Sequence, residues 1–335
     1  MQITFLTKNE ELINEVHAFL KEWNNEFSYI KTKTSGSTGR KKTIQIEKNR
    51  MVSSAKMTGK FLQLEKNQNA LLCLSPKTIG GKMMLVRAIV LNLNLFVSDV
   101  CSTPLKSTDS SIHFAAMVPL QVSSSIAKTP KQLKNIQKLI IGGAPVSSSL
   151  EKVLNNFPND VFQTFGMTET ISHVAMRKLS EKEISYTALP TISFSQKEDC
   201  LIINAPNLGV KNLESNDIIE LIDSTHFIWK GRKDFIINSG GIKHSPEELE
   251  TYLSPILREP FFIAGLADTI LGQKIVLIIE SEKKKMNKQD FVAVLTKYQL
   301  PKEIYFIPHF VRTESDKINR LKTIKKISDA QKQVL

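Results

Sequence analysis

The apolar positions of this chain fall into two rhythms that take turns along most of its length. Leu12, Val16, Phe19 and Leu20 recur at helical spacing and predict an amphipathic helix over 9–23, after a short strand over 3–6. A strand over 43–46 leads into a helix over 48–62. An apolar run over 70–74 stops at Ser75-Pro76, and a helix over 81–92 separates it from a strand over 93–97. The same alternation continues with a strand over 113–118 and a helix from Pro119 to about 127. A strand over 138–141 follows before Gly142-Gly143, then a helix over 148–157 and a strand over 161–165. Strands and helices in strict turn predict a layered α/β sheet.

Past Tyr186 the texture changes to short alternating strands over 200–204, 218–223 and 226–230, a small β-rich subdomain over about 186–233. From Asp234 a compact α+β unit is expected, with helices over 246–253 and 288–297 and strands over 261–266, 274–279 and 303–306. No internal repeat or low-complexity linker interrupts the chain. The boundary at Asp234 therefore reads as a hinge between an N-terminal domain over 1–233 and a mobile C-terminal domain over 234–335.

Composition narrows the class. A hydrophobic share of 41% and a charged share of 23% suit a globular core. The best membrane candidate, 83–100, carries Arg87, Asn92, Asn94 and Asp99, and no basic-apolar leader opens the chain. Cys73, Cys101 and Cys200 lie far apart in no metal-ligand spacing, which suits reduced thiols and a cytoplasmic setting. The formal charge of +12 admits nucleic acid as a partner, but polyanionic cofactors explain it equally. With 7% aromatics, no stacking platform and no zinc-finger spacing, a nucleic-acid-binding protein is the rival reading rather than the preferred one.

Several segments carry candidate chemistry. In Thr34-Ser35-Gly36-Ser37-Thr38-Gly39-Arg40-Lys41-Lys42, small residues let backbone amides approach a phosphate, hydroxyls add donors, and Lys42 adds charge. The spacing is not that of a Walker loop, and a surface turn would use the same residues. Phe165-Gly166-Met167-Thr168-Glu169-Thr170 offers a hydroxyl and a carboxylate side by side, or an ordinary helix start. Gly142-Gly143-Ala144-Pro145 is a strand-to-helix turn. Ser215-Asn216-Asp217 and Lys230-Gly231-Arg232-Lys233-Asp234 place acids and a guanidinium near the domain boundary.

Taken in order, these segments resemble the acyl-adenylate-forming synthetase superfamily of acyl-CoA synthetases, adenylation domains and luciferases. The match includes Ser239-Gly240-Gly241 through Pro246-Glu247-Glu248 and ends at Arg312-Thr313-Glu314-Ser315-Asp316-Lys317, over about residues 31–325. Departures are Lys41 where the family usually has Pro, Ser215-Asn216 where it has Thr-Gly, and Asp316 where it has Gly. The resemblance implies ATP, Mg²⁺ and coenzyme A as cofactors. Residues 34–39 with Lys42 would cradle phosphate, Gly143, Ala144 and Pro145 would flank adenine, and Asp217 with Arg232 would hold ribose or phosphate. Thr168 would touch the α-phosphate, Glu169 would hold Mg²⁺, and Lys317 would be the catalytic lysine. Asp234 would be the hinge, and Gly240 and Gly241 would line the tunnel to coenzyme A.

Within the superfamily the chain is most similar to the o-succinylbenzoate–CoA ligases of menaquinone biosynthesis. Leu74 to Lys82 resembles their acyl-pocket loop, with Thr78 where His is common, and Met117 to Val122 resembles their Val-Pro-x-Gln-Leu segment. That implies an aromatic dicarboxylic acid as substrate, with Thr78, Gly81, Lys82, Arg87 and Gln121 in its pocket and Lys82 with Arg87 anchoring the unreactive carboxylate. Another aryl or acyl acid, or a carrier protein as acceptor, stays open. Relatives carry roughly a hundred residues or more before the phosphate loop and this chain has 33, so one N-terminal layer is expected to be absent or reduced. Self-association into a homodimer is one way to cover sheet left bare by such a loss.

Overall fold

The computed structural model describes residues 1–33, 43–108, 110–179, 183–312 and 318–335. One 12-stranded sheet organises the chain as far as Arg232. Its first half is parallel, in the spatial order Ile3–Phe5, Asn94–Val97, Asn69–Leu72, Ile112–Met117, Ile136–Ile141 and Asp160–Gly166. The reason is legible in the apolar runs, because strands buried on both faces cannot alternate with polar residues. Ala70, Leu72, Phe114, Ala116 and Ile140 face one core, while Leu71, Cys73, Ala115, Met117, Leu139 and Ile141 face the other. Helices Glu10–Trp23, Lys48–Phe61 and Ile79–Val90 cover the first face, and Pro119–Lys128, Pro130–Lys134 and Ser148–Leu154 cover the second.

At Asp160–Gly166 the pairing turns antiparallel. His173–Lys178, Tyr186–Ala188, His226–Arg232, Val210–Asp223, Cys200–Ala205 and Ser193–Lys197 continue the same sheet. The β-rich stretch over 186–233 is thus edge-paired to the parallel half instead of closing a sheet of its own. Its long strand begins at Val210, earlier than the apolar pattern indicated, because Lys211, Asn212, Glu214 and Asn216 disguise it.

Beyond the short helical turn Lys233–Phe235 a separate six-stranded sheet forms from Ile237–Ser239, Ile242–His244, Phe261–Asp268, Gly272–Glu280, Glu303–Ile307 and Gln331–Val334. Ile275, Leu277 and Ile279 face one small core, and Val276 and Ile278 face the other. The helix expected over 288–297 is only Lys288–Val292, because β-branched Val292, Val294 and Thr296 disfavour its continuation. Helix Pro246–Leu253 starts as expected, with Pro246 in its first turn, Ser245 capping Glu248 N and Glu247 and Glu248 at its positive end.

A hairpin of Tyr29–Lys33 and Thr43–Glu47 stands apart from both sheets, with Lys33 paired to Thr43. Residues 34–42 connect its two strands. No described helix is long and apolar enough to cross a membrane.

Candidate active site

The site is built around the end of strand Asp160–Gly166. Gly166 has no room for a side chain, since a Cβ there would lie 2.4 Å from Ser172 O. A single turn, Thr168–Thr170, follows, and Thr170 Oγ1 accepts from Met167 N at 3.0 Å. Ile171 then takes φ +68° and ψ −49°, and Ser172 N donates to Thr170 O at 2.6 Å. This is the strained form of the γ-turn, and a β-branched residue in it costs on the order of 1–3 kcal/mol. Packing of Ile171, 4% exposed, holds it there.

The strained turn aims Thr168 and Glu169 into a groove of about 390 Å³. Its opposite wall is Ile44, Gln45, Ile46 and Glu47, the strand that leads out of residues 34–42, with Arg50 beyond it. Glu47 holds Arg50 through two hydrogen bonds of 3.1 and 2.9 Å. Among the described residues no hydrogen bond or ion pair engages the Glu169 carboxylate. Nor does any cluster of three His, Cys, Asp or Glu form among them. A hard cation here would be shared between Glu169 and oxygens of a ligand or water, a donor set that suits Mg²⁺ bound to phosphate.

Asp217, Arg232 and Asp234 come together where strands Val210–Asp223 and His226–Arg232 pair. Asp217 pairs in register with Arg232, and a bulge immediately beyond, between Ile218 and Ile219, re-aims both strands. Asp217 is 5% exposed and accepts from Trp229 Nε1 at 2.9 Å. Burial raises its pKa, while the indole N–H and the Arg232 guanidinium oppose the rise. Arg232 Nη2 donates to Asp234 at 2.7 Å, and Asn216 Nδ2 donates to its other oxygen at 2.9 Å. Arg232 thus hydrogen-bonds the expected hinge residue and forms a longer ion pair, at 3.7 Å, with the Asp217 carboxylate. Gly143, at φ +87°, makes the turn between Ile136–Ile141 and the helix capped by Ser147, so Gly143, Ala144 and Pro145 lie where that parallel strand ends.

On the second unit, Gly240 (φ +59°) and Gly241 (φ +84°) form the two-residue turn of the hairpin Ile237–Ser239/Ile242–His244. A Cβ on Gly241 would meet only open space. Thr34, Ser35, Gly36, Ser37, Thr38, Gly39, Lys42 and Lys317 lie outside the described residues.

The residues expected to line the substrate pocket take separate places in the fold. Lys82 and Arg87 point apart, because five positions on a helix turn the side chains about 140° from each other. Lys82, 8% exposed, donates to Lys31 O at 3.0 Å and lies 3.5 Å from Glu22, tying the first helix to the hairpin. Gln121 is also fully engaged. Its Nε2 donates to Cys73 O and Cys101 O at 2.9 and 3.1 Å, and its Oε1 accepts from Val118 N. Thr78 caps helix Ile79–Val90, and Gly81 is needed there because a Cβ would lie 2.1 Å from Ser75 O.

Arg87 goes elsewhere. It is 2% exposed and donates to Ser172 Oγ at 2.8 Å, beside the γ-turn, and to Thr58 Oγ1 at 3.4 Å. Thr58 donates to Ser54 O, so it must accept from His173 Nε2 at 2.9 Å. His173 Nδ1 then faces the Ser172 hydroxyl at 3.4 Å. Burial, and then the Arg87 charge, push the His173 pKa well down, so the ring is neutral. Burial alone lowers the Arg87 pKa to about 9, and no described carboxylate offsets it. Thr58, Ser172 and His173 were not singled out from the sequence; two of them directly follow the Thr168–Thr170 motif, which was the available signal.

A solved protein from Dyadobacter fermentans, described as an acyl-CoA synthetase (AMP-forming)/AMP-acid ligase II-like protein, is 33% identical. The match covers 96% of this chain and 95% of that one, with a TM-score of 0.64. The AMP-binding enzyme family model matches residues 32–194. The chain belongs to the AMP-binding enzyme family. Other AMP-binding relatives are longer. The 2-succinylbenzoate–CoA ligase of Staphylococcus epidermidis is 25% identical over 86% of this chain and 68% of its own length. The o-succinylbenzoate CoA synthetase MenE of Bacillus subtilis, solved with the acyl-adenylate intermediate OSB-AMP, shares the fold at a TM-score of 0.77. It is 20% identical, over 91% of this chain and 70% of that one. The match to the Dyadobacter fermentans protein spans 96% of this chain, and residues 32–194 contain the hairpin strand Thr43–Glu47, Arg87 and the Thr168–Glu169 turn.

Proposed function

We propose that the chain activates an aromatic dicarboxylic acid, o-succinylbenzoate, with ATP and passes the acyl group to coenzyme A. The observation that carries this is Glu169, paired with no described residue, beside Thr168 in a groove whose other wall leads out of residues 34–42. The relatives named 2-succinylbenzoate–CoA ligase support the choice of acid. In the first step a carboxylate oxygen attacks the α-phosphorus and pyrophosphate leaves. Residues 34–39, Lys42 and Thr168 donate to phosphate oxygens, and Lys317 offsets charge gathering on them in the transition state. Mg²⁺ on Glu169 would neutralise phosphate charge. Asp217 accepts from ribose hydroxyls beside Arg232, and Gly143, Ala144 and Pro145 flank adenine.

In the second step the unit beyond Asp234 rotates, withdrawing Lys317 and presenting Gly240-Gly241 to the pantetheine arm. The thiol sulfur attacks the acyl carbon, AMP leaves and the thiol proton passes to solvent. Arg87 supports a dicarboxylic acid in particular. It is a buried cation whose described acceptors are neutral, and a substrate carboxylate would supply a counter-charge that no described residue gives. The test is pyrophosphate release with o-succinylbenzoate and ATP, with and without coenzyme A. Release with this acid and thioester formation on adding coenzyme A support the reading. Silence with it alongside turnover of another acid removes the assigned substrate, and adenylation with no use of coenzyme A removes the assigned acceptor.

A further inference from the structure

Helix Lys48–Phe61 starts against the usual preference for acids at a helix's positive end. Its first turn holds Lys48 and Arg50 and no acid, and the N-cap residue Glu47 makes no side-chain cap hydrogen bond. Glu47 is turned to Arg50 instead, accepting from Nε at 3.1 Å and from Nη2 at 2.9 Å. Lys48 is spent elsewhere, because its Nζ donates to Asn25 O at 3.0 Å and Asn25 Oδ1 at 2.9 Å. Arg50 is thus the cation that this helix start leaves to the groove, whose lining it shares with Thr168 and Glu169.

The guanidinium also has space kept for it. Gly209, at φ +70°, follows the short turn Pro206–Leu208, and a Cβ there would lie 2.4 Å from Arg50 Cζ and 2.5 Å from Nη1. A side chain at 209 would be strained and would strike the guanidinium. Glu47 therefore holds one edge of the cation and Gly209 clears room beside it, while Nη1 has no described partner. The Arg50 side chain is 39% exposed and that of Glu47 48%, so their ion pair adds little to stability. An arrangement that gives up a helix cap for so small a gain suits a ligand.

We propose that Arg50 binds the terminal phosphates of ATP, donating from Nη1 to the part of the triphosphate that departs as pyrophosphate. This rests on the reading of the groove as the ATP site, in which Thr168 takes the α-phosphate and Glu169 the Mg²⁺. The β- and γ-phosphates are the charge that remains for a cation on the opposite wall. A guanidinium fixed at a helix N-terminus adds its charge to that of the helix end, and both favour phosphate. Glu47 keeps Nε and Nη2 and so sets the direction in which Nη1 donates. AMP lacks the terminal phosphates and makes no such contact.

The experiment is calorimetric titration of the full-length chain with ATP and Mg²⁺, and separately with AMP, with no acid present. R50Q weakens ATP binding by about tenfold or more, the worth of a hydrogen bond to a charged group. It leaves AMP binding within about twofold, which also shows that the variant is folded. R50K keeps a charge and loses the fork, so it falls between wild type and R50Q for ATP and stays with wild type for AMP. Equal losses for ATP and AMP in both folded variants, or no loss for either ligand, overturn the role and leave Arg50 an ordinary surface cation. A wild-type chain that binds no ATP sinks the reading of the groove and this role with it. A wild type that binds ATP but releases no pyrophosphate with o-succinylbenzoate removes the assigned acid, while the R50Q titrations still decide the role.

Discussion

Arg87 Nη2 donates to Ser172 Oγ at 2.8 Å across 85 positions of sequence, placing a buried cation directly behind the turn that holds Thr168 and Glu169. No described carboxylate answers that charge, and its other acceptors are the Thr58 hydroxyl and the Met84 sulfur. A cation in this setting costs the fold stability unless a ligand completes it.

Replacing Arg87 with methionine should therefore separate stability from function. The variant should unfold at an equal or higher temperature, because an apolar side chain fits the site without a counter-charge. Its kcat/KM for o-succinylbenzoate should fall by about 1.5–3 kcal/mol, the worth of a hydrogen bond to a charged group, or roughly tenfold to a hundredfold. An aromatic acid with one carboxylate should lose much less. Comparable losses for both acids would remove Arg87 from substrate recognition.

Glu169→Gln keeps the shape of the side chain and removes the charge. Pyrophosphate release should drop by several kcal/mol of transition-state stabilisation, and half-maximal rate should need more Mg²⁺. Stability should stay within about 0.5 kcal/mol, since the carboxylate has no described partner. A magnesium titration alongside thermal melting checks both halves of this expectation.

Two glycines should respond differently to alanine. At Gly81 the new Cβ would lie 2.1 Å from Ser75 O, a backbone atom that cannot swing aside, so the fold should lose about 1–3 kcal/mol or more. At Gly241 nothing crowds the new methyl, and only φ +84° opposes it, at about 1 kcal/mol. Denaturant melts would rank them. Gly241→Ala should also slow thioester formation more than adenylation.

Glu303 sets an acid limb to the stability of the second unit. Tyr305 Oη donates to it at 2.5 Å, and Lys274 and Lys332 lie at 3.0 and 3.3 Å. The Tyr305 hydrogen bond first, and then the two lysines against the opposing effect of burial, bring its pKa from 4.5 down to about 2. A depressed carboxylate stabilises the fold above its unfolded pKa and loses that contribution as pH falls through the folded one. Wild type should thus lose stability between about pH 4.5 and 2, and Glu303→Gln should flatten the slope there. Parallel slopes for the two proteins would show that Glu303 does not contribute.

The sequence by itself determined the order of the functional segments and most of the elements that carry them. The turns are local: glycine before Met167-Thr168-Glu169, paired glycines at 240–241 and the Ser245-Pro246 helix start each specify their own backbone. The apolar runs at 70–72, 114–117 and 139–141 likewise required strands buried on both faces. Only tertiary structure decided which side chains share a site. Lys82 and Arg87 look equivalent along the chain, yet one is spent on Lys31 O and Glu22 while the other meets Ser172 from a separate part of the fold. Asp217 meets Arg232 through strand register, and Arg320 meets Phe235 and Glu250 through packing. A residue's type is fixed by sequence, but its partners are fixed by which faces the two cores force together.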